Sequence, residues 1–354
     1  MGRNPYTLVF GKEPAQHIHR VVQMNQVLDS FLDDTPSQQI FVITGVRGSG
    51  KTVFMTEVSK KIAADVGWIV VELNPERDML TSLAAKLSSD HTLAGIFRNA
   101  KINLSFFGFG LEISGIPPIT DIEMALTKML KSLKKERKKI LITVDEAVNT
   151  TNMRVFVSAF QILIRQDLPL FLLMTGLYEN VHSLQNEKNL TFLYRAPKIE
   201  LKPLNLGVIA DNYQMNLKIV RSEALEMARM TRGYAFAFQA LGYFCWEEGG
   251  MSDRAIADYR LYLEEYVYEK IWSELSAIDK KICFGIAKSQ TGKISEIRSI
   301  LDMETNSFNP YRKRLIRKGI VQGDTYGYVS FVLPMFETFV LENTYDGLGY
   351  KITI

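Results

Sequence analysis

The chain has 354 residues, 47% of them hydrophobic, with a formal net charge of +3. This is enough apolar material for two or three domain cores. The charge is too small for general polyanion binding, so any nucleic-acid contact must come from a local cluster. Two cysteines, Cys245 and Cys283, exclude a disulfide framework and suggest reduced, packed thiols. The longest apolar run, LPLFLLM at 168–174, is far short of the roughly 20 residues a membrane-crossing helix needs. The opening MGRNPYTLVF has no apolar signal core, and Tyr6 stands where a myristoylation signal takes Ser or Thr. A cytoplasmic protein with no membrane partner is expected.

In chain order, IFVITG (40–45) reads as a short buried strand and TVFMTEVSKKIAADVG (52–67) as a helix. WIVVELN (68–74), a helical stretch near 78–90, ILITVDE (140–146) and LFLLMTG (170–176) follow. Apolar runs alternating with helical patterns predict βαβ units and a parallel sheet covered on both faces. Between them, KINLSFFGFGLEISG (101–115) alternates like an inserted hairpin with aromatics at its turn. Edge packing within the fold is the first reading and a partner-contact loop the second. The segment 128–139 holds seven basic residues and one acid, the pattern of a solvated helix face.

From about 205 the texture is helical, broken at Gly233 and closed by Gly249-Gly250. A long amphipathic helix over 252–275 leads to short helices and a hairpin. The expected division is 1–204, the α/β domain; 205–272, a helical lid and connecting helix; and 273–354, a C-terminal domain of short helices and a hairpin.

Gly45-Val46-Arg47-Gly48-Ser49-Gly50-Lys51-Thr52 matches G-x-x-x-x-G-K-[ST] in full. Glycines let the chain wrap an anion so that backbone N–H groups point at phosphates. A helix starting at Thr52 adds its positive end. Lys51 is placed to reach the β- and γ-phosphates and the Thr52 hydroxyl to bind Mg²⁺. Asp145 closes the strand ILITV at the carboxyl edge of a parallel sheet, where it can hold the Mg²⁺ water shell. Glu146, next in line, can orient and deprotonate an attacking water. Thr175, at the end of the neighbouring strand, is placed to sense the γ-phosphate, against a purely structural reading. NEKN (186–189) does not supply the Asn-Lys-x-Asp of guanine selectivity, so ATP is the expected nucleotide.

These motifs, with a lid and a basic C-terminal segment, resemble the AAA+/STAND ATPases, most nearly their archaeal-type, origin-recognition-like branch. The likeness includes NPYTLVFGKEPAQHIHR (4–20), similar to the opening segment that lies against adenine in that family. It implies strand order 5-1-4-3-2 and a C-terminal winged helix. It also implies an arginine finger at Arg195, acting on a neighbouring subunit's ATP, whose plain alternative is a salt-bridged surface arginine. The chain departs from the pattern at His19-Arg20, where Gly-Arg is usual. Phe236 stands where a lid arginine senses nucleotide, and Gly233-Tyr234-Ala235 replaces Gly-x-Pro. These departures point to a slow ATP-dependent switch.

SFNPYRKRLIRKGIV (307–321) packs five basic residues into seven positions. Asn309-Pro310 reads as a helix start, and Gly319 as its end. On a 100° wheel Phe308, Tyr311 and Leu315 share one face, with Lys313, Arg314, Arg317 and Lys318 opposite. With ISEIRSILDM before it and a hairpin around Gly323-Asp324 and Gly327 after it, a winged helix is expected. Those four cations would contact double-stranded DNA through phosphates. The functions left open are a DNA-binding ATPase switch, a signalling switch whose winged helix binds protein, and a non-hydrolysing nucleotide-binding scaffold.

Overall fold

The apolar runs of the first half become the strands of one parallel sheet. The computed structural model describes residues 3–9 and 14–344, and the chain divides into two units. One comprises Arg20–Thr44 and Lys51–Glu200, the other Met1–His19, Gly45–Gly50 and Leu201–Ile354.

In the first unit the chain runs α1 (Val21–Leu32), β1 (Ile40–Thr44), α2 (Lys51–Ala63), β2 (Trp68–Glu72), α3 (Met79–Ser89), α4 (His91–Asn99) and α5 (Ile122–Lys135). It continues as β3 (Lys139–Val144), α6 (Thr151–Ile164), β4 (Leu170–Gly176), α7 (Tyr178–Gln185) and β5 (Lys198–Glu200). The strand order is β2-β3-β4-β1-β5, all parallel, which is the expected 5-1-4-3-2 read from the other edge. β1 and β4 are buried along their whole length. Sheets covered on both faces need such unbroken apolar runs, which is why these strands lack polar alternation.

α5 shows how the basic run is accommodated. Ala125, Leu126, Met129, Leu130 and Leu133 face the core, and Asp121 caps the helix by accepting from the Met124 N–H at 2.7 Å. The lysines on the other face include Lys134, which donates to the Asp167 carbonyl at 2.7 Å.

The 101–115 segment corrects the hairpin reading. It contains a single 3₁₀ turn, Ser105–Phe107, and no strand. Leu104 and Leu111 are buried and joined by one backbone bond of 2.8 Å, while the Asn103 amide donates to the Ile116 carbonyl at 2.6 Å. Gly108 and Gly110 both take positive φ, which breaks the extended chain that a ladder requires. Phe107 and Phe109 stack on each other, 5.6 Å between centroids, and pack on the core.

The second unit holds α8 (Leu206–Leu217), α9 (Arg221–Thr231), α10 (Ala235–Glu248), α11 (Asp253–Leu263), α12 (Glu269–Ser273), α13 (Ala277–Lys288), α14 (Ile294–Leu301) and α15 (Thr305–Arg317). After these come β6 (Val321–Gln322), β7 (Ser330–Phe331) and α16 (Phe336–Glu342). The long helix expected over 252–275 is interrupted by a π-turn at Glu264–Tyr268 between α11 and α12. That turn buries Val267 and Tyr268 together. The Tyr6 ring lies on α10 where Gly242 leaves room: a Cβ there would come within 2.7 Å of the ring. Residues 10–13 of the segment compared with the adenine-side opening lie outside the described residues. Cys245 and Cys283 are both buried and unpaired, and burial pushes the Cys245 thiol up to about 12. Among the described residues no helix is long and apolar enough to cross a membrane.

α14 and α15 are followed by an antiparallel ribbon, with Val321 opposite Phe331 and Gln322 opposite Ser330. α15 starts earlier than its Asn309-Pro310 signal. Glu304 is the residue before the helix, and Pro310 lies within it. The reason is Phe308, fully buried, which anchors a first turn already closed by the Ser307 and Phe308 N–H groups on the Glu304 carbonyl. Burying that ring offsets part of the cost of the backbone bond left unmade at Pro310.

The four cations of this helix do not form one solvated face. Asp279, 1% exposed, accepts from the Arg314 guanidinium at 2.7 and 2.9 Å, with the Lys318 ammonium at 3.9 Å. A buried carboxylate needs charge partners, and these two supply them. Lys313 and Arg317 are exposed. Asp279 also completes a capping box with Ser276 at the start of α13. Asp279→Ala should therefore lower the unfolding free energy by about 3 kcal/mol, the low end for breaking a buried pair because Arg314 can rehydrate. A denaturant midpoint unchanged from the parent would contradict that.

Candidate functional site: a hydroxyl–carboxylate cluster and a glycine loop

Two strand ends and one helix start of the first unit converge on one carboxylate. β3 ends one residue before Asp145, β4 carries Thr175 near its end, and α2 opens with Lys51 and Thr52. The Thr52 hydroxyl donates to Asp145 Oδ2 at 2.7 Å. The Thr175 hydroxyl, fully buried, donates to Asp145 Oδ1. Asp145 thus has one oxygen on each threonine, which fixes the plane of its carboxylate. The Glu146 N–H donates to the Thr175 hydroxyl at 3.2 Å, and the Ala147 N–H to the Thr175 carbonyl at 2.7 Å. Thr175 therefore holds both acidic residues, and its hydroxyl is committed to Asp145 in this structure.

Glu146 is exposed and left-handed, with φ of 52°. Strain of this kind, of order 1–3 kcal/mol, persists where surrounding bonds over-determine it, and the two N–H bonds to Thr175 do so. The Glu146 carboxylate itself makes no hydrogen bond or ion pair among the described residues. Arg195 ends a 3₁₀ segment, Lys188–Arg195, just before β5, and is exposed. It makes no ion pair or hydrogen bond among the described residues, so the salt-bridged alternative is not realised.

In the second unit, Gly45–Gly50 forms a tight loop closed by the Ser49 N–H on the Val46 carbonyl at 3.1 Å. Gly48 and Gly50 have φ of 76° and 90°, which disfavours any other residue. The Tyr234 hydroxyl donates to the Arg47 carbonyl at 2.6 Å, and the Phe236 N–H to the Gly48 carbonyl at 3.1 Å. The Arg47 guanidinium reaches Glu274 at 3.4 Å. Sequence reasoning marked 235 and 236 as departures but did not foresee the contacts of Tyr234 and Phe236 with the loop, the first of which joins residues 187 positions apart. The available signal was a large aromatic directly after Gly233, in a chain whose loop has no side chain at 48.

Residues 19–170 match the model of a family described as an ATPase domain predominantly from Archaea. Residues 265–340 match a second family, described as a domain of unknown function. No curated protein matches significantly. Among solved structures, the Walker-type ATPase of Pyrococcus abyssi is similar at 15% identity and a TM-score of 0.63, covering 91% of this chain and 95% of that one. The ORC2 protein of Aeropyrum pernix, solved as ADPNP–ADP complexes, is similar at 14% identity and a TM-score of 0.59, covering 95% of this chain and 96% of that one. At such identities the likeness speaks for the fold. The chain has the α/β fold of a P-loop ATPase, shared with these two proteins, and its residues 19–170 match the archaeal ATPase domain model.

Proposed function

We propose that this protein binds MgATP and hydrolyses it slowly, as a cytoplasmic ATP-dependent switch that grips double-stranded DNA. The observation that carries the reading is Asp145 held between the Thr52 and Thr175 hydroxyls, with an exposed, unpaired Glu146 next to it. The oxygen-only pair Thr52 and Asp145 suits Mg²⁺, which takes one or two protein oxygens and keeps several waters. The bound ion supplies neutralisation of charge on the phosphoryl oxygens.

The rest belongs to this chain. Backbone N–H groups of the glycine loop, other than the Ser49 N–H that closes it on Val46, would face the phosphates, with the Lys51 ammonium on the β- and γ-oxygens. Glu146 takes the proton of a water whose oxygen bonds to the γ-phosphorus. The bond from that phosphorus to the β,γ-bridging oxygen breaks, and ADP leaves with the electron pair. Thr175 positions the two acids, and through Asp145 it can register the γ-phosphate. Slow turnover follows from Phe236, which offers no charge where a lid arginine would stabilise the transferring group.

The proposed division of labour keeps 1–204 as the ATPase, 205–272 as the lid and 273–354 as a winged helix. Its α15 would present the exposed Lys313 and Arg317 to the duplex, and Arg314 and Lys318 also meet Asp279. Lys313→Ala/Arg317→Ala should weaken duplex binding for all sequences and shrink the salt slope by roughly one unit per lost phosphate contact. An unchanged slope would favour a protein partner for this segment. The test of the whole reading is phosphate release from MgATP, with and without duplex, across protein concentration. Slow release raised by duplex is expected; a parent that binds no MgATP would overturn it.

A further inference from the structure

The turn between α9 and α10 is built with little freedom. Arg232 and Gly233 both have positive φ, at 50° and 76°. A Cβ on Gly233 would meet the Leu204 carbonyl at 2.5 Å and Pro203 at 2.9 Å, so only glycine fits there. The Leu204 N–H donates to the Gly233 carbonyl at 2.7 Å, and the Tyr234 N–H to the Thr231 carbonyl at 2.9 Å. Arg232 ties the same turn to the C-terminal segment, donating to the Phe331 and Leu333 carbonyls at 3.1 Å each and to Glu337 at 2.7 Å. Tyr234 therefore leaves a rigid support, 2% exposed, and its hydroxyl meets the phosphate loop. Burial raises that hydroxyl's pKa well above its ordinary value, so it stays a donor.

What the contact does follows from peptide geometry. The carbonyl and N–H of one peptide plane point in opposite directions. Holding the Arg47 carbonyl on Tyr234 turns the Gly48 N–H to the other side of the loop. Holding the Gly48 carbonyl on the Phe236 N–H likewise orients the next peptide, whose N–H closes the turn on Val46. Two acceptor oxygens that would repel a phosphate are thus kept facing away from it. The ring also fills the space over Gly48, where a side chain would run into the Tyr234 hydroxyl.

We infer that Tyr234 is a positioning residue for nucleotide phosphates: with the Phe236 N–H, its hydroxyl presets the glycine loop for a polyphosphate ligand. Here the lid acts on the loop's backbone, with an aromatic hydroxyl and an amide in place of a charged side chain. The inference rests on the MgATP reading of the loop and adds to it the means by which the loop is held.

The experiment compares the parent with Tyr234→Phe by calorimetric titration with MgATP and MgADP, and by steady-state hydrolysis. Removing one buried hydrogen bond to the loop should weaken both nucleotides about tenfold and lower kcat/KM by the same factor through a raised KM. A merely structural tyrosine would lower the unfolding midpoint and leave both affinities and KM in place; that result overturns the inference. A parent that binds MgATP and a variant that binds it equally well sinks the inference alone. A parent that binds no MgATP sinks the nucleotide reading, and this inference with it.

Discussion

Lys51→Ala should give no MgATP binding isotherm under conditions where the parent gives a clear one. Glu146→Gln should bind as the parent does and hydrolyse at least ~10²-fold more slowly. The two changes separate because the groups do different work. Lys51 opens α2 directly after the loop, and the other cation of the phosphate-binding motif, Arg47, is engaged with Glu274 at 3.4 Å. Without it a polyphosphate must be held by N–H dipoles alone. Glutamine at 146 keeps the shape and the left-handed turn, with the backbone N–H still on Thr175, but cannot accept a proton. Equal turnover in Glu146→Gln and the parent would remove Glu146 from the catalytic assignment. Tight binding by Lys51→Ala would remove the loop.

Activity per subunit should rise with protein concentration, and Arg195→Ala should abolish that rise while leaving MgATP affinity intact. Arginines that reach a transferring phosphoryl group from another subunit accelerate it by ~10³ or more. Arg195 has the properties such a role needs. It is exposed, ends a 3₁₀ segment beside β5, and has no ion pair or hydrogen bond among the described residues to hold it elsewhere. A desolvated, prepaired arginine would first have to break its own bonds. A rate per subunit that stays flat across concentration would count against self-association through Arg195, and the residue would then be an ordinary surface cation.

The parallel sheet was legible in the sequence because its cause is local. IFVIT, KILITV and LFLLMTG are unbroken apolar runs too short for helices, separated by helical periods, and such runs have one stable arrangement. The phosphate loop was legible for the same reason: its glycine spacing expresses a backbone requirement inside eight residues. The pairing of Asp145 with a neighbouring-strand hydroxyl was half legible, since the strand ends could be placed but not the bond.

What only the tertiary structure decided are pairings between distant segments. Arg314 and Lys318 look like solvated charges on a helical wheel, yet Asp279, 35 positions from Arg314, draws both of them in. No local period records that one acid of α13 is buried. Local breaks misled where packing outweighed them: Pro310 suggested the first residue of a helix, but with Phe308 buried the helix starts five residues earlier, at Thr305. Gly108 and Gly110 were read as a hairpin turn, and their positive φ instead ended any ladder. Tyr234 makes the same point most sharply. In sequence it is only the middle residue of Gly233-Tyr234-Ala235, whose missing proline falls at 235, and its hydroxyl on the Arg47 carbonyl exists because two segments far apart in sequence fold into one unit.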